Sequence, residues 1–426
     1  MTGLALRLIT DSIIIKGTRI FRENLIILIL FSFSLFAKEQ TDTSMTIEGI
    51  LNSPEEEIDI GLADLVLARD FYPELKIESF LFSFDYLADR FKHYFGDITD
   101  PDQRVRALNT FLYRKGSWND KITFGYDEND LNVKMLSNKF INGYLSTRKG
   151  SCITMPMMYL ILAERLGFPL YASRLPYHFF IRYIPEEPIT NFQENIEATN
   201  GGSFVPDSEY QRNFLVPDKA IANGVYLRTL SKKEYIATLL LVNSDEWITR
   251  KNFNKAKHYL ELAMKYDSTF SSAYMNYAMI HLREALSLEK KMHDEEQSEI
   301  TIYNASRNRG TDPVSPKGQR RADFSKSDVS PILIPLEVDI TKTAQRFESP
   351  KSQGGLFRSQ MQSDPNLNMV FSQVEQQYEP DIKEEIAAYQ KYKGIADNLG
   401  IVRGYPLLFF QNQSNELKEF QEKGAK

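Results

Sequence analysis

The sequence predicts an α+β protein: a helical lead, then a helix packed on a small antiparallel sheet, then a second helical region. Three observations predict it. Apolar residues recur at three- and four-residue spacing through much of 55–112. A helix-like run, Met157 to Leu166, leads into strand-like runs at 169–175, 178–184 and 194–199. Beyond 235 the helical spacing returns, and Tyr274 stands 34 residues after Leu240.

The chain has 426 residues, room for roughly two or three domains. Hydrophobic residues make up 42% and aromatics 12%, which is enough for real cores. The 51 basic and 57 acidic residues leave a net charge of -6. That balance gives no electrostatic reason to expect nucleic acid or an anionic lipid surface as partner.

Residues 1–37 read as a signal peptide or, uncleaved, an N-terminal anchor. Arg7, Lys16, Arg19 and Arg22 precede an apolar run at 25–37. The run is shorter than the ~20 residues a spanning helix wants. Export to a periplasm or cell envelope is therefore expected, with membrane contact only through this segment. One cysteine permits no internal disulfide, so the fold must stand on its cores.

In chain order, Ile58 to Ala68 and Phe80 to Phe95 carry apolar helical faces, with Pro73 between them. Asp100-Pro101 is a helix start, and Val105, Leu108 and Leu112 share its face. Residues 116–130 read as loop and 131–145 as helix. Pro156 belongs in a first helical turn, which puts Cys152 in that turn or just ahead of it. Leu166-Gly167 ends that helix. Pro185 and Pro188 separate the second and third strands. A hairpin centred between Glu187 and Pro188 sets His178 opposite Glu197 on one face.

Residues 235–290 place Leu240, Trp247, Ala256, Leu260 and Ala263 at tetratricopeptide-like positions, with Ala273 and Tyr277 around Tyr274. One repeat and part of another cannot cover themselves, so these helices are expected to pack on the core or on later helices. Residues 294–378 read as a mostly disordered linker or insertion, poor in aliphatics at 294–330 and rich in Ser and Gln at 346–378. A C-terminal helical segment follows at 380–426, and its helix from Asp381 is expected to complete the stack.

The candidate chemistry centres on Cys152. A lone cysteine is either a small buried hydrophobe or a reactive thiol. Its place at a helix start favours thiolate. Cysteine, histidine and acid in the order Cys152, His178, Glu197 suit a nucleophile, its base and the group that orients the base. The Cys152 amide is the natural oxyanion donor and Asn138 a second candidate. The five histidines show no HxxxH spacing and there is no CxxC, so no metal site is expected, nor any cofactor.

The runs Lys149-Gly150-Ser151-Cys152, Leu162-Ala-Glu-Arg-Leu-Gly-Phe-Pro169 and Leu175-Pro-Tyr-His-Phe179 resemble the transglutaminase-like core. They look most like its SirB branch, where tetratricopeptide repeats follow the core. Residues 60–69, Tyr72-Pro73 and Asn138 resemble that branch's helical lead. The likeness covers roughly 57–290. It implies a papain-like transglutaminase core over 55–230, with Cys152 as nucleophile, His178 as base and Glu197 as orienting group. The wider superfamily more often has Asp at the third position, and many SirB-type members lack the cysteine.

Two functions follow as expectations. One is an exported thiol hydrolase or acyl-transferase acting on amide bonds of a peptide or protein, with hydrolysis preferred. The other is a non-catalytic scaffold that binds a peptide or protein through the repeat helices.

Overall fold

Several helices of this chain begin where a short polar side chain takes up one of their first amide hydrogens. The computed structural model describes residues 45–187, 189, 194–307 and 365–402. The chain divides into two units, Met1–Ile58 and Asp59–Lys426. In the first, Thr46 caps α1 (Ile47–Asn52), its hydroxyl accepting from the Gly49 amide at 3.1 Å. The signal or anchor expected at 1–37 lies outside the described residues.

In the second unit, Asp59 caps α2 (Ile60–Ala68) through the Leu62 amide at 2.9 Å. α3 (Ile77–Phe95) follows, and its apolar stripe buries Phe84, Leu87 and Phe91. Asp100 caps α4 (Pro101–Tyr113), with proline at the first helical position as the sequence predicts.

The 116–130 stretch is not all loop. It contains β1 (Gly125–Tyr126), which pairs in parallel with β2 (Lys149–Gly150). Nor is 131–145 one helix. Both Asp130 carboxylate oxygens accept backbone amides, from Lys134 and Met135 at 2.8 Å each. That local alternative to helical bonding delays the helix, and α5 spans only Ile141–Thr147.

α6 (Thr154–Leu166) is the centre of the unit. Every residue from Thr154 to Ala163 is buried, the signature of a helix enclosed on all sides. α2, α3, α5 and the three-stranded sheet pack around it. Gly167, at φ 67°, ends it in the left-handed conformation.

The sheet is antiparallel in the order β3 (Leu170–Leu175), β4 (His178–Tyr183), β5 (Asn195–Ile196). Leu175 pairs with His178 across a two-residue turn, Pro176-Tyr177. Ile181 pairs with Ile196 and Arg182 with Asn195. Extended, this ladder sets Thr199, not Glu197, opposite His178. The register is two residues from the symmetric one, a shift that keeps every side chain on its own face.

After α7 (Asp207–Asn213) and α8 (Asp218–Ala222) come the long helices. Ser231 and Glu234 form a capping box at the start of α9 (Lys232–Thr249). α10 (Phe253–Tyr266) packs on α9 and on α11 (Ser271–Arg307). Leu240, Ala256, Leu260, Ala263 and Ala273 are completely buried.

α11 then runs on for 37 residues where a second short repeat helix would turn back. α12 (Pro365–Leu399) packs along it, with Ala278, Leu282 and Tyr389 at their contact. The expected 294–378 linker is therefore narrower. Residues 294–307 belong to α11 and 365–378 to α12. Their polar composition conceals good helix formers, Glu and Gln, which need only one apolar stripe to pack. The helix expected from Asp381 starts earlier and passes through Pro380.

The helical region is built into the core. Arg174 on β3 pairs with Asp267 after α10 at 2.7 Å, both side chains almost fully buried. Lys139 pairs with Glu246 at 2.8 Å. Asp70, just past α2, accepts from the Trp247 indole at 3.0 Å and the Tyr259 hydroxyl at 2.6 Å. Among the described residues no helix is long and apolar enough to cross a membrane.

One buried acid makes this packing pH-dependent. Asp64 accepts the Ile141 amide at 2.7 Å, and burial raises its carboxyl to about 7. The folded state thus holds a proton that the unfolded chain gives up near pH 4. The stability this contributes is whole below about pH 4 and is lost as pH rises to about 7. Urea unfolding should show Asp64→Asn gaining on the wild type by on the order of 1–3 kcal/mol between pH 4 and 8. A pH-independent difference between the two would contradict a buried, protonated Asp64.

Candidate active site

Glycine at 150 is dictated by space. A Cβ there would lie 2.5 Å from the Tyr144 ring and 2.6 Å from the Thr154 hydroxyl. Gly150 thereby lets the chain pass close under Tyr144 and enter the turn Ser151-Cys152-Ile153. The Ser151 hydroxyl accepts from the Ile153 amide at 3.0 Å and the Thr154 amide at 3.5 Å. The Thr154 hydroxyl in turn accepts from the Ser151 amide at 3.0 Å. This reciprocal pair works as a capping box does. Cys152 sits within it, two residues ahead of Thr154, where α6 is assigned to begin.

The β3–β4 turn comes to meet the thiol. Cys152 donates to the Tyr177 carbonyl, Sγ to O 3.7 Å. Tyr177 has φ 59°, at a turn position that favours Gly or Asn. A left-handed tyrosine costs on the order of 1–3 kcal/mol and persists only where surrounding packing enforces it. The next residue, His178, opens β4.

His178 and Glu197 are both completely buried, with Nε2 and Oε2 2.7 Å apart. Glu197 reaches the ring from the position diagonal to it, a span that suits a long side chain. The departure from Asp at this place is thus matched by geometry. Oε2 also accepts the Tyr210 hydroxyl at 2.9 Å. Oε1 accepts the Thr199 hydroxyl at 2.6 Å and the Thr199 amide at 3.0 Å. Burial alone would raise this carboxyl. His178 and the Thr199 donors outweigh it and hold Glu197 below its ordinary value. Phe214 stacks on the imidazole, centroids 5.3 Å apart at 17°.

Two expectations need correction. The helix start does not lower the thiol. Burial pushes Cys152 up to about 12, the charge on Glu197 adds to that, and the residue's own amide opposes both only weakly. Nor does the Asn138 side chain turn to the thiol. Its amide donates to Asp127 and Asp130, 2.9 Å each. Asn138 serves the site through its carbonyl, which accepts from the Ser151 hydroxyl at 2.7 Å.

Sequence reasoning missed Thr199, Tyr210 and Phe214. Thr199 carried a local signal, a hydroxyl two residues after an acid. Tyr210 and Phe214 carried none, because they come from or just after a separate helix, α7. Away from this site, His281, Glu284 and Glu385 bring one ligand atom each within 4.8 Å of one another. Protein partners already serve them: Lys257 bonds both Glu284 oxygens at 3.0 Å, and His281 bonds Glu385 at 2.6 Å.

Residues 78–240 match the family model described as the transglutaminase-like superfamily. The matched stretch runs from α3 into α9 and contains Cys152, His178 and Glu197. Two curated relatives, both named UPF0162 protein, come from Xylella fastidiosa strains Temecula1 and 9a5c. Each is 25% identical over 152 residues, covering 35% of this chain and 48% of its own length. The chain spans about half the length of the curated relatives it matches. No solved structure matches it.

Gly150→Ala tests the tight approach. The added methyl must displace Tyr144 or Thr154, so thermal unfolding should show a loss of about 1–3 kcal/mol. Unchanged stability would mean that the Ser151-Cys152 turn is not held by this contact.

Proposed function

We propose that the domain is a thiol-dependent hydrolase or acyl-transferase acting on amide bonds, with Cys152 as nucleophile, His178 as base and Glu197 as orienting group. The transglutaminase-like match is compatible with that chemistry. The observation that carries the reading is the buried His178–Glu197 bond of 2.7 Å, on the residue next to the turn that touches the Cys152 sulfur.

With Nε2 engaged by Glu197, Nδ1 is the nitrogen that takes the thiol proton. Sulfur then bonds to the amide carbon while the Cys152 amide faces the developing oxyanion. Nδ1 returns the proton to the leaving amine, and an acyl-enzyme remains. Water as acceptor completes hydrolysis, an amine completes transfer, and we prefer hydrolysis. Glu197 stays ionised throughout and stabilises the imidazolium. Cys152 is 3% exposed and His178 0%, so substrate entry requires the covering segment with Phe214 to move. We further propose export through residues 1–37 and a peptide or protein substrate.

The buried, raised thiol favours a second reading, a non-catalytic scaffold in which α9–α12, with their tetratricopeptide-like start, bind a protein partner. Iodoacetamide alkylation against pH separates the two. Catalysis predicts Cys152 labelling at neutral pH, absent in Cys152→Ala and slowed on the order of 100-fold in Glu197→Gln. Labelling that climbs only toward pH 12 and ignores Glu197→Gln would leave the scaffold.

A further inference from the structure

A second polar site lies between α3, α5 and the 116–120 turn. A cavity of about 260 Å³ is lined by Tyr86, Leu87, Arg90, Trp118, Leu145 and Arg148, among others, with Asp120 also in its wall. Its charges do not balance. Arg90 forks onto Asp120 through two bonds of 3.1 Å and also donates to the Ser117 carbonyl at 2.6 Å and the Tyr86 hydroxyl at 3.1 Å. That carboxylate is then matched, and Arg148 is the surplus cation.

Among the described residues Arg148 makes no ion pair. Its guanidinium lies 4.1 Å from the centroid of the Phe124 ring. Its backbone is left-handed, φ 60°, so the residue is held in place at a conformational cost. Buried N–H groups without acceptors are rare and costly. This cavity has two, Arg90 Nε and Arg148 Nη1. Two orphaned guanidinium nitrogens and one uncompensated positive charge, in a chain of net charge -6, mark a place built for an anion.

We propose that the cavity binds a monoanionic carboxylate carrying an apolar or aromatic group. One surplus charge suits one negative charge, and Asp120 works against a dianion such as phosphate. Tyr86, Leu87, Trp118 and Leu145 supply an apolar wall beside the guanidinium pair. The volume is below the ~300–1,000 Å³ of sites for drug-sized ligands, so the occupant is about the size of one amino acid. Either a free acid or the terminal residue of a peptide presents this chemistry. The site stands independently of the thiol chemistry, and its test reads binding alone.

Titration calorimetry on the full chain can use four probes: N-acetyl-L-phenylalanine, its C-terminal amide, the peptide Gly-Gly-Gly-Phe and inorganic phosphate. The expected result is saturable binding of the free carboxylates, with the amide and phosphate at least about tenfold weaker. Tighter binding of the tetrapeptide assigns a chain end, and equal or weaker binding a free acid. Arg148→Lys keeps the charge but loses the planar fork, and should weaken carboxylate binding about tenfold or more. Should that variant not fold by circular dichroism, Asp120→Asn serves instead. It removes the competing charge and should tighten binding several-fold. No saturable binding, equal affinity for the amide, tighter binding of phosphate, or indifference to both substitutions would overturn the proposal.

Discussion

The enclosure of α6 is the constraint from which the rest of the fold follows. A helix buried from Thr154 to Ala163 can expose none of its first amides to water. They must be satisfied from within, and Ser151 and Thr154 do this for each other's backbone. The turn so fixed carries Cys152, and Gly150 and the Asn138 carbonyl hold it from outside. The cysteine's position is thus a by-product of capping a buried helix.

The same enclosure acts oppositely on two ionisable groups, Glu197 and Cys152. Glu197 has specific donors, from Thr199, Tyr210 and His178, and these keep it charged despite burial. Cys152 has a carbonyl at 3.7 Å, which cannot stabilise a thiolate, and its own amide is outweighed by burial. Desolvation therefore wins for sulfur and loses for carboxylate. The thiol is left neutral against the turn that precedes His178, and the imidazole is held by an anion.

Charge burial also welds the helical region to the sheet. Arg174 and Asp267 are both nearly inaccessible, and Asp267 further accepts from Arg228 and Thr269. Buried pairs of this kind add little net stability but penalise every arrangement that separates them. They specify where the end of α10 must sit against β3. The helices past 232 are for that reason part of one packed unit with the sheet.

The sequence by itself determined much of the order of elements around the site. The apolar run after Cys152, the Gly167 stop, the strand-like runs and the Asp100-Pro101 helix start are local signals, written in spacing and caps. They survive because neighbouring residues along the chain enforce them. It also determined that His178 and Glu197 share a face, since parity along a strand is local. What only the tertiary structure decided was register and depth. The ladder pairs Ile181 with Ile196 and Arg182 with Asn195, two residues from the symmetric register, and the chain turns helical at 198–200. Cys152 is buried with the Tyr177 carbonyl, brought from the β3–β4 turn, against its sulfur, and that burial reversed the thiol's expected shift. α11 and α12 were misread for a similar reason. A polar helix with one narrow apolar stripe looks unstructured in composition, and only its distant partner makes it fold.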